Sequence, residues 1–191
     1  MYKIITISGT PGSGKSTIAQ KLAEKLNAER IYVGAIRRQL AREKNMTLEE
    51  LNFYALTHPE TDVDIDQKIA KQAREAAKKD LVIVEGRTQF HFIPESFKIF
   101  VKVSIKEGAC RIWKQIQNEK ERKERNEGEK KSLKDLVADI KKRIANDKKR
   151  YKKYYNLDHT DESHYDLVID TTKLTANQAT AKILKALPKL D

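Results

Sequence analysis

The sequence predicts an α/β fold in which helices cover both faces of a five-stranded parallel sheet. Five short apolar runs have the length of strands, and the segments between them carry apolar residues at helical spacing. Two of the runs, Leu81 to Val84 and Leu167 to Ile169, are continuously apolar, which is typical of central strands covered on both faces. The chain of 191 residues is long enough for one sizeable core and too short for two. We therefore expect one domain over residues 1–191.

The first strand, expected from Tyr2 to Ser8, leads into a glycine-rich segment from Gly9 to Ser16. This segment reads Gly-Thr-Pro-Gly-Ser-Gly-Lys-Ser and fits the phosphate-loop pattern Gly-x4-Gly-Lys-Ser/Thr at every defined position. A helix should follow, because apolar residues recur at helical spacing from Ile18 to Leu26. Strand, loop and helix together predict a P-loop NTPase fold with a nucleotide phosphate site, and a chance match in a glycine-rich turn is the alternative.

The loop is expected to bind phosphate mainly through its backbone. Glycines let the chain fold around an anion, and the N–H groups then point at phosphate oxygens beside the positive end of the following helix. Lys15 should reach the β and γ phosphates of ATP and act in catalysis, while the Ser16 hydroxyl should bind Mg²⁺. The expected ATP-binding residues in this segment are Gly9, Thr10, Pro11, Gly12, Ser13, Gly14, Lys15, Ser16 and Thr17.

The remaining strands are expected at Ile31 to Val33, Leu81 to Val84, Ile99 to Val103 and Leu167 to Ile169. Between the second and third strands, Thr47-Leu-Glu-Glu50 has the form of a capping box, which predicts a short helix that ends before Pro59. A longer helix should begin at Thr61 or Asp62 and continue through Ala77.

Residues 34–79 and residues 111–130 are predicted to be helical insertions beside the sheet. The first would cover a phosphate acceptor, and the second would form a lid over the donor. A kinase with a small acceptor needs such segments, because water in the site would hydrolyse the γ-phosphoryl group. Within the lid, the mixed charges from Asn118 to Ser132 indicate a solvated helix that ends near Gly128.

The formal charge of +11 would suit a nucleic-acid binder, but the basic residues are spread along the chain and no RNA-binding signature accompanies them. A basic surface would equally attract small phosphorylated substrates. No apolar run approaches the roughly 18 residues that span a bilayer, and the lone Cys110 excludes an internal disulfide. We expect a cytoplasmic monomer without membrane or nucleic-acid partners.

Two positions near the expected carboxyl edge of the sheet carry charges suited to this chemistry. Glu85 ends the third strand, where a solvated surface role is hard to explain, so we expect it to orient a water on Mg²⁺. Arg87 follows at the edge where ligands bind in open parallel sheets, and Arg38 lies just after the second strand. An arginine fork suits a dianionic phosphate. A plain surface arginine remains the alternative for both, and Arg37 could equally be the inward-facing neighbour of Arg38.

A later helix carries Arg143, Asp147 and Arg150. Their spacings of four and three place the three side chains on one helical face. A charged surface helix with an Arg/Asp pair four residues apart is the alternative.

Taken together, these segments resemble the cytidylate kinases, within the larger group of nucleoside monophosphate kinases. The resemblance covers nearly the whole chain, and its compact size is most similar to the archaeal-type branch. It implies transfer of the γ-phosphoryl group of ATP, with Mg²⁺ as cofactor, to CMP or dCMP, giving CDP or dCDP. The segments that carry it are Ile5 to Thr17, Gly34 to Ala41, Glu85 to Arg87, Arg143 to Arg150, Arg150 to Tyr155 and Tyr165 to Thr172.

The resemblance also implies residue roles on the acceptor side. Arg38 and Arg87 would hold the acceptor's phosphate and neighbouring groups. Arg143, Asp147 and Arg150 would line the acceptor site, and the two arginines would also touch the transferring phosphoryl group.

The chain departs from the family pattern at two places. Gly108 stands where family members often carry an arginine, which leaves Arg111 as the lid arginine on the ATP side. After Glu85-Gly86-Arg87 the family usually has an Asp or a Leu-Ala-Gly-Trp-like stretch, whereas this chain has Thr88 to Phe92. Two other functions stay open: a kinase of the same fold with another acceptor, such as UMP, another nucleotide or an RNA end, and a nucleotide-switched nucleic-acid-binding protein.

Overall fold

The computed structural model describes residues 2–126 and 132–189. Five strands pair in parallel in the order β2-β3-β1-β4-β5, which confirms the predicted parallel α/β sheet. The strands are β1 (Ile4–Gly9), β2 (Glu29–Tyr32), β3 (Val82–Glu85), β4 (Phe97–Lys102) and β5 (Leu167–Asp170). The register sets Glu85 beside both Ile7 and Tyr32, so the carboxyl ends of three strands meet at one edge.

Helices cover both faces of this sheet, as expected. They are α1 (Lys15–Leu26), α2 (Val33–Glu43), α3 (Leu48–Tyr54), α4 (Glu60–Ala76), α5 (Gln89–Phe92), α6 (Ile105–Ile116), α7 (Glu119–Arg125), α8 (Leu133–Tyr155) and α9 (Ala176–Ala186). Alternate residues of β1 point to opposite faces. Ile5 and Ile7 pack with α1 and α9, whereas Ile4 packs with α4.

The two continuously apolar runs have different positions in the sheet. β3 is buried along its whole length between β2 and β1, as predicted for a central strand. β5 lies at the edge and is only half-buried, so the prediction of a central strand at Leu167 to Ile169 is wrong. An apolar run shows that the faces of a strand are covered, but it does not show whether the strand has a neighbour on both edges.

The starts of α3 and α4 can be compared with the helix starts predicted from the sequence. The capping box is confirmed, because the Glu50 backbone donates to Thr47 Oγ1 at 3.2 Å and the Thr47 backbone donates to Glu50 Oε2 at 2.7 Å. α4 begins at Glu60, slightly before the predicted start.

α7 ends at Arg125 because Asn126, with φ of 49°, takes the left-handed conformation that asparagine tolerates. The predicted end near Gly128 is therefore too late, and Gly128 itself lies outside the described residues. The predicted lid, residues 111–130, contains the second half of α6 and all of α7, and its residues 127–130 are likewise outside the described part. Among the described helices, none has the length and apolar character needed to span a bilayer.

The phosphate loop packs against the first turn of α6 through a pair of glycines. Gly12 has φ of 76°, in the left-handed region, and a Cβ there would lie 2.3 Å from the Gly108 carbonyl oxygen. A Cβ at Gly108 would lie 2.7 Å from the carbonyl oxygen of Pro11. Both distances are below van der Waals contact, so the two backbones can approach only because neither residue has a side chain. The position at which family members often carry an arginine is thus in close contact with the backbone of the phosphate loop.

We expect Gly108→Ala to lower the free energy of unfolding by about 1 kcal/mol, the amount by which the cost of the overlap exceeds the gain in helix propensity. Alanine gains about 0.5–1 kcal/mol of helix propensity over glycine, but the overlap with the loop costs about 1–3 kcal/mol. Urea unfolding would measure the difference. Lys106→Ala, at an exposed position of the same helix, is the matched control and should stay within about 0.5 kcal/mol of wild type. A Gly108→Ala variant as stable as that control would show that the overlap costs no more than the helix propensity that alanine gains, about 0.5–1 kcal/mol.

Candidate active site

A cavity of about 660 Å³ opens at the carboxyl edge of the sheet, where ligands bind in open parallel folds. The phosphate loop forms one part of its wall. Residues of α2, α4, α6, α7 and α8, the ends of β2 and β3, the turn after β3 and the segment after β5 also line it. Every residue expected to bind ATP, from Gly9 to Thr17 together with Arg111, lines this cavity. Of the expected acceptor residues, Arg38, Arg87 and Arg143 also line it.

Glu85 is a fully buried carboxylate beside the phosphate loop. Its Oε1 accepts from Lys15 Nζ and from Ser16 Oγ, each at 2.5 Å, and its Oε2 accepts from Arg30 Nη2 at 2.5 Å. Burial acts to raise the pKa of Glu85, but the Lys15 charge and the hydrogen bonds from Arg30, Lys15 and Ser16 outweigh it and hold the pKa below its usual range. The carboxylate is therefore ionised next to the Ser16 hydroxyl. Arg30 was not recognised from the sequence, because its contact with Glu85 joins two strands distant in sequence.

The alternatives for Arg37 and Arg38 do not exclude each other, since both side chains line the cavity. Arg38 Nη1 donates to the Tyr32 hydroxyl at 2.7 Å, and its Nε donates to the Arg125 carbonyl at 3.2 Å. Arg37 forms an ion pair with Asp62 and donates to the Asn52 side chain at 3.1 Å. α2 therefore delivers two cations to the cavity, one held by α4 and the other reaching the end of α7.

A buried ion-pair network lies behind the acceptor side of the cavity. Arg150 is 0% exposed; its Nε is 2.6 Å from Asp62 Oδ2 and its Nη2 donates to Asp147 Oδ1 at 2.8 Å. The other oxygen of Asp147, which is 1% exposed, lies 3.3 Å from Arg87 Nε. The alternative of a solvated surface helix is wrong for Asp147 and Arg150. Neither of the two lines the cavity; they hold Arg87 and Asp62, which do.

In this network, burial and neighbouring charges shift the pKa of Asp147 in opposite directions. Burial acts to raise the pKa of Asp147, but the nearby Arg87, Arg150 and Arg143 outweigh it and hold the pKa far below its usual range. His159 is also buried, with its ring edge-on to Tyr151 at 5.0 Å between centroids. Burial lowers the pKa of His159 to about 4, so the ring is neutral at pH 7.

The sequence reasoning missed two carboxylates of α4 that line the cavity, Asp62 and Asp66. Both are buried, and their spacing of four places them on one helical face. That face continues into the buried residues Ile69, Ala70 and Ala73. Acidic residues that extend an apolar helical stripe were the signal available in the sequence, because a carboxylate on a core-facing stripe requires partners.

Comparisons with known proteins show which proteins this chain resembles. A family model described as an AAA domain matches residues 5–132. The cytidylate kinase of Pyrococcus furiosus is 36% identical over 189 residues, which cover 98% of this chain and 90% of that protein. The cytidylate kinase of Methanocella arvoryzae is 37% identical over 187 residues, with 98% of each chain covered. That of Methanocaldococcus jannaschii is 38% identical over 175 residues, with 89% of each covered.

Solved structures resemble this chain in fold. An uncharacterized protein from Eubacterium ventriosum has a TM-score of 0.64 at 21% identity, with 96% of each chain covered. Shikimate kinase from Acinetobacter baumannii has a TM-score of 0.57 at 14% identity, covering 97% of this chain and 93% of that one. These likenesses agree with the P-loop fold predicted from Gly9 to Ser16.

We expect the buried His159 to make the stability of the protein depend on pH. Its pKa is about 4 in the folded chain and about 6.5 when unfolded. The contribution of the neutral ring is therefore fully present above pH 6.5 and is lost as the pH falls through 4. Wild-type protein should lose up to about 3 kcal/mol more unfolding free energy between pH 7 and pH 4 than His159→Gln. Urea unfolding across this range would measure it, and identical pH profiles would contradict the assignment.

Proposed function

This chain belongs to the cytidylate kinase family, and from that premise we propose that it transfers the γ-phosphoryl group of ATP to CMP or dCMP, giving CDP or dCDP. The observation that carries the proposal is one shared cavity in which a phosphate loop meets the arginines of α2, α8 and the turn after β3. Phosphoryl transfer depends mainly on holding donor and acceptor in line within such a site.

The donor side fits ATP with Mg²⁺. The Ser16 hydroxyl and the ionised Glu85 offer the oxygen ligands that this ion prefers. No group of three or more His, Cys, Asp or Glu residues in the described part of the chain is arranged to hold a metal. We assign direct binding to Ser16 and binding through water to Glu85. Bound there, Mg²⁺ supplies neutralisation of phosphate charge.

Lys15 and Arg30 share the charge of Glu85 in the structure. When ATP binds, its phosphates offer Lys15 a second anionic partner, and Arg30 remains as the counterion of Glu85. Lys15 then stabilises the charge that spreads over the transferring group. Arg111, which donates to the Thr171 carbonyl at 2.7 Å, borders the ATP side of the cavity.

On the acceptor side, we assign the phosphate of CMP to Arg38 and Arg87 and the transferring group to Arg143. A contact between Arg150 and the phosphoryl group, which the resemblance implies, requires the buried network to open. We therefore propose that Arg150 and Asp147 act as positioning residues for Arg87. The acceptor oxygen is already a nucleophile at neutral pH, so neither a general base nor a covalent enzyme intermediate is required.

Residues 34–79 and 111–130 are proposed to cover the acceptor and the donor during the reaction, which limits hydrolysis of ATP. The described part of these segments already contributes cavity residues, including Arg38 and Arg125. The monomeric state and the cytoplasmic location stay predictions.

A coupled ADP-release assay tests the function. Mg·ATP would be presented with CMP, dCMP, UMP, AMP or GMP, and a reaction without acceptor would serve as the blank. We expect turnover selective for CMP or dCMP. Turnover with only another nucleotide would keep the fold and change the substrate, while blank-level rates for all five with ATP bound would overturn the proposal and direct attention to RNA ends or regulatory partners.

We expect Arg38→Ala to raise the KM for CMP about 10- to 100-fold, the value of a charge-assisted hydrogen bond to phosphate, with little change in the KM for ATP. Arg42→Ala is the matched control, because Arg42 also donates to α7 carbonyls but does not line the cavity. An equal rise in both KM values, or the same effect from Arg42→Ala, would assign Arg38 to the docking of α7 instead.

A further inference from the structure

Asp66 is a buried carboxylate in the wall of a cavity that several lysine and arginine side chains also line. It is 4% exposed, and neutral side chains donate to both of its oxygens. Thr88 Oγ1 and the Tyr155 hydroxyl donate to Oδ2 at 2.8 and 2.9 Å, and Gln89 Nε2 donates to Oδ1 at 2.8 Å. Three separate elements, the β3–α5 turn, α5 and α8, thus hold this one carboxylate in place.

Asp66 differs from the other buried carboxylates of the cavity in forming no ion pair among the described residues, although the charge of Arg37 is near enough to act on its pKa. Glu85 pairs with Lys15 and Arg30, and Asp62 pairs with Arg37 and Arg150. Within residues 2–126 and 132–189, no lysine, arginine or histidine nitrogen forms an ion pair with Asp66. Burial, helped by the charge of Asp62, raises its pKa to about 6. The group is still mostly ionised at pH 7 and has acceptor capacity that no protein cation satisfies.

The side-chain amide of Gln89, next to Asp66, also has an acceptor without a donor in the described part of the chain. Gln89 binds Asp66 through its nitrogen, while its Oε1 is buried without a hydrogen-bond partner among the described residues. Buried acceptors without partners are costly unless a ligand or water supplies the missing hydrogen. Gln89 itself does not line the cavity, whereas Asp66 does, so Asp66 is the acceptor that a ligand group with an N–H or O–H donor can reach.

The negative charge of Asp66 limits which part of the acceptor lies beside it. Asp62, four residues earlier, pairs with Arg37, and one further turn of α4 carries Asp66 about 6 Å along the helix. A carboxylate repels phosphate, so the acceptor's phosphate belongs with the arginines. On CMP the remaining donors are the ribose hydroxyls, which lie near the phosphate, and the amino group of cytosine, which lies at the far end.

We propose that Asp66 selects the acceptor base by accepting a hydrogen bond from the exocyclic amino group of cytosine, with Thr88, Gln89 and Tyr155 as its positioning residues. The inference rests on the proposed function and names the substrate class of that same site. Uracil presents a carbonyl oxygen where cytosine presents the amino group, so it places two acceptors against each other. A site built to satisfy one hydrogen-bonding group rejects the analogue that lacks it more strongly than shape alone does.

Steady-state ADP release with CMP, dCMP and UMP tests this in the wild type and in Asp66→Asn. Asparagine has almost the same shape but can donate to the uracil oxygen. We expect the ratio of kcat/KM for CMP to that for UMP to fall about tenfold or more, while the ratio of CMP to dCMP stays the same. Asp64→Asn is the matched control, because it makes the same charge change at an exposed position of α4 and should leave both ratios unchanged.

Thr88→Val keeps the size of the side chain and removes the donor to Asp66, so it should shift the CMP to UMP ratio in the same direction by a smaller factor. If thermal melting shows that Asp66→Asn does not fold, Thr88→Val alone tests whether Asp66 selects the base. An unchanged CMP to UMP ratio in the folded variants would overturn the inference, because Asp66 would then only support the wall.

Two other results distinguish a failure of this inference from a failure of the proposed kinase function. A wild-type protein that turns over none of these nucleotides would overturn the proposed function and this inference together. Wild-type turnover of CMP and UMP at equal kcat/KM, or a variant that changes only the ratio of CMP to dCMP, would leave the kinase activity standing and overturn the role of Asp66 in reading the base.

Discussion

The guanidinium of Arg150 connects the helices that surround the acceptor side of the cavity. It is fully buried and binds Asp62 of α4, Asp147 of α8 and the Asn52 carbonyl of α3. Removing Asp62 or Asp147 would take the ion-pair partner from Arg37 or Arg87, and breaking a buried ion pair costs about 3–5 kcal/mol. Ionic contacts of this kind are directional, so they hold Arg87 and Arg37 through their aspartates more firmly than apolar packing would.

On the donor side too, positive charges that lie close together need negative partners. Among the described residues, seven cations line the cavity: Lys15, Arg37, Arg38, Arg87, Arg111, Arg125 and Arg143. Without nucleotides, the like charges are offset by protein carboxylates, above all by Glu85 and Asp62. ATP and a monophosphate bring the missing negative charge, so their binding replaces interactions that already exist within the protein. The net charge of +11 adds a long-range attraction for such ligands that weakens with salt.

Much of the fold and part of the site were accessible from sequence because they depend on neighbours along the chain. The phosphate loop and the Thr47 capping box are local patterns, and both have the expected structure. The helical face of Arg143, Asp147 and Arg150 was also predicted correctly, since it follows from helical spacing. Contacts between distant segments were not accessible. Nothing local to Arg30 or Asp66 indicates that one will meet Glu85 and the other Thr88, Gln89 and Tyr155.

The sequence by itself therefore determined the class of fold, the phosphate site and the family to which the chain belongs, because these depend on motifs and periodicities that can be read without knowing which segments meet. Only the tertiary structure decided that β5 lies at the edge, that Arg150 is buried behind the cavity wall, and that Asp66 lines the cavity without an ion-pair partner among the described residues. The physical reason is that burial and ion pairing arise where elements pack against each other. The sequence does not distinguish a charged residue that is solvated by water from one that pairs with another buried charge.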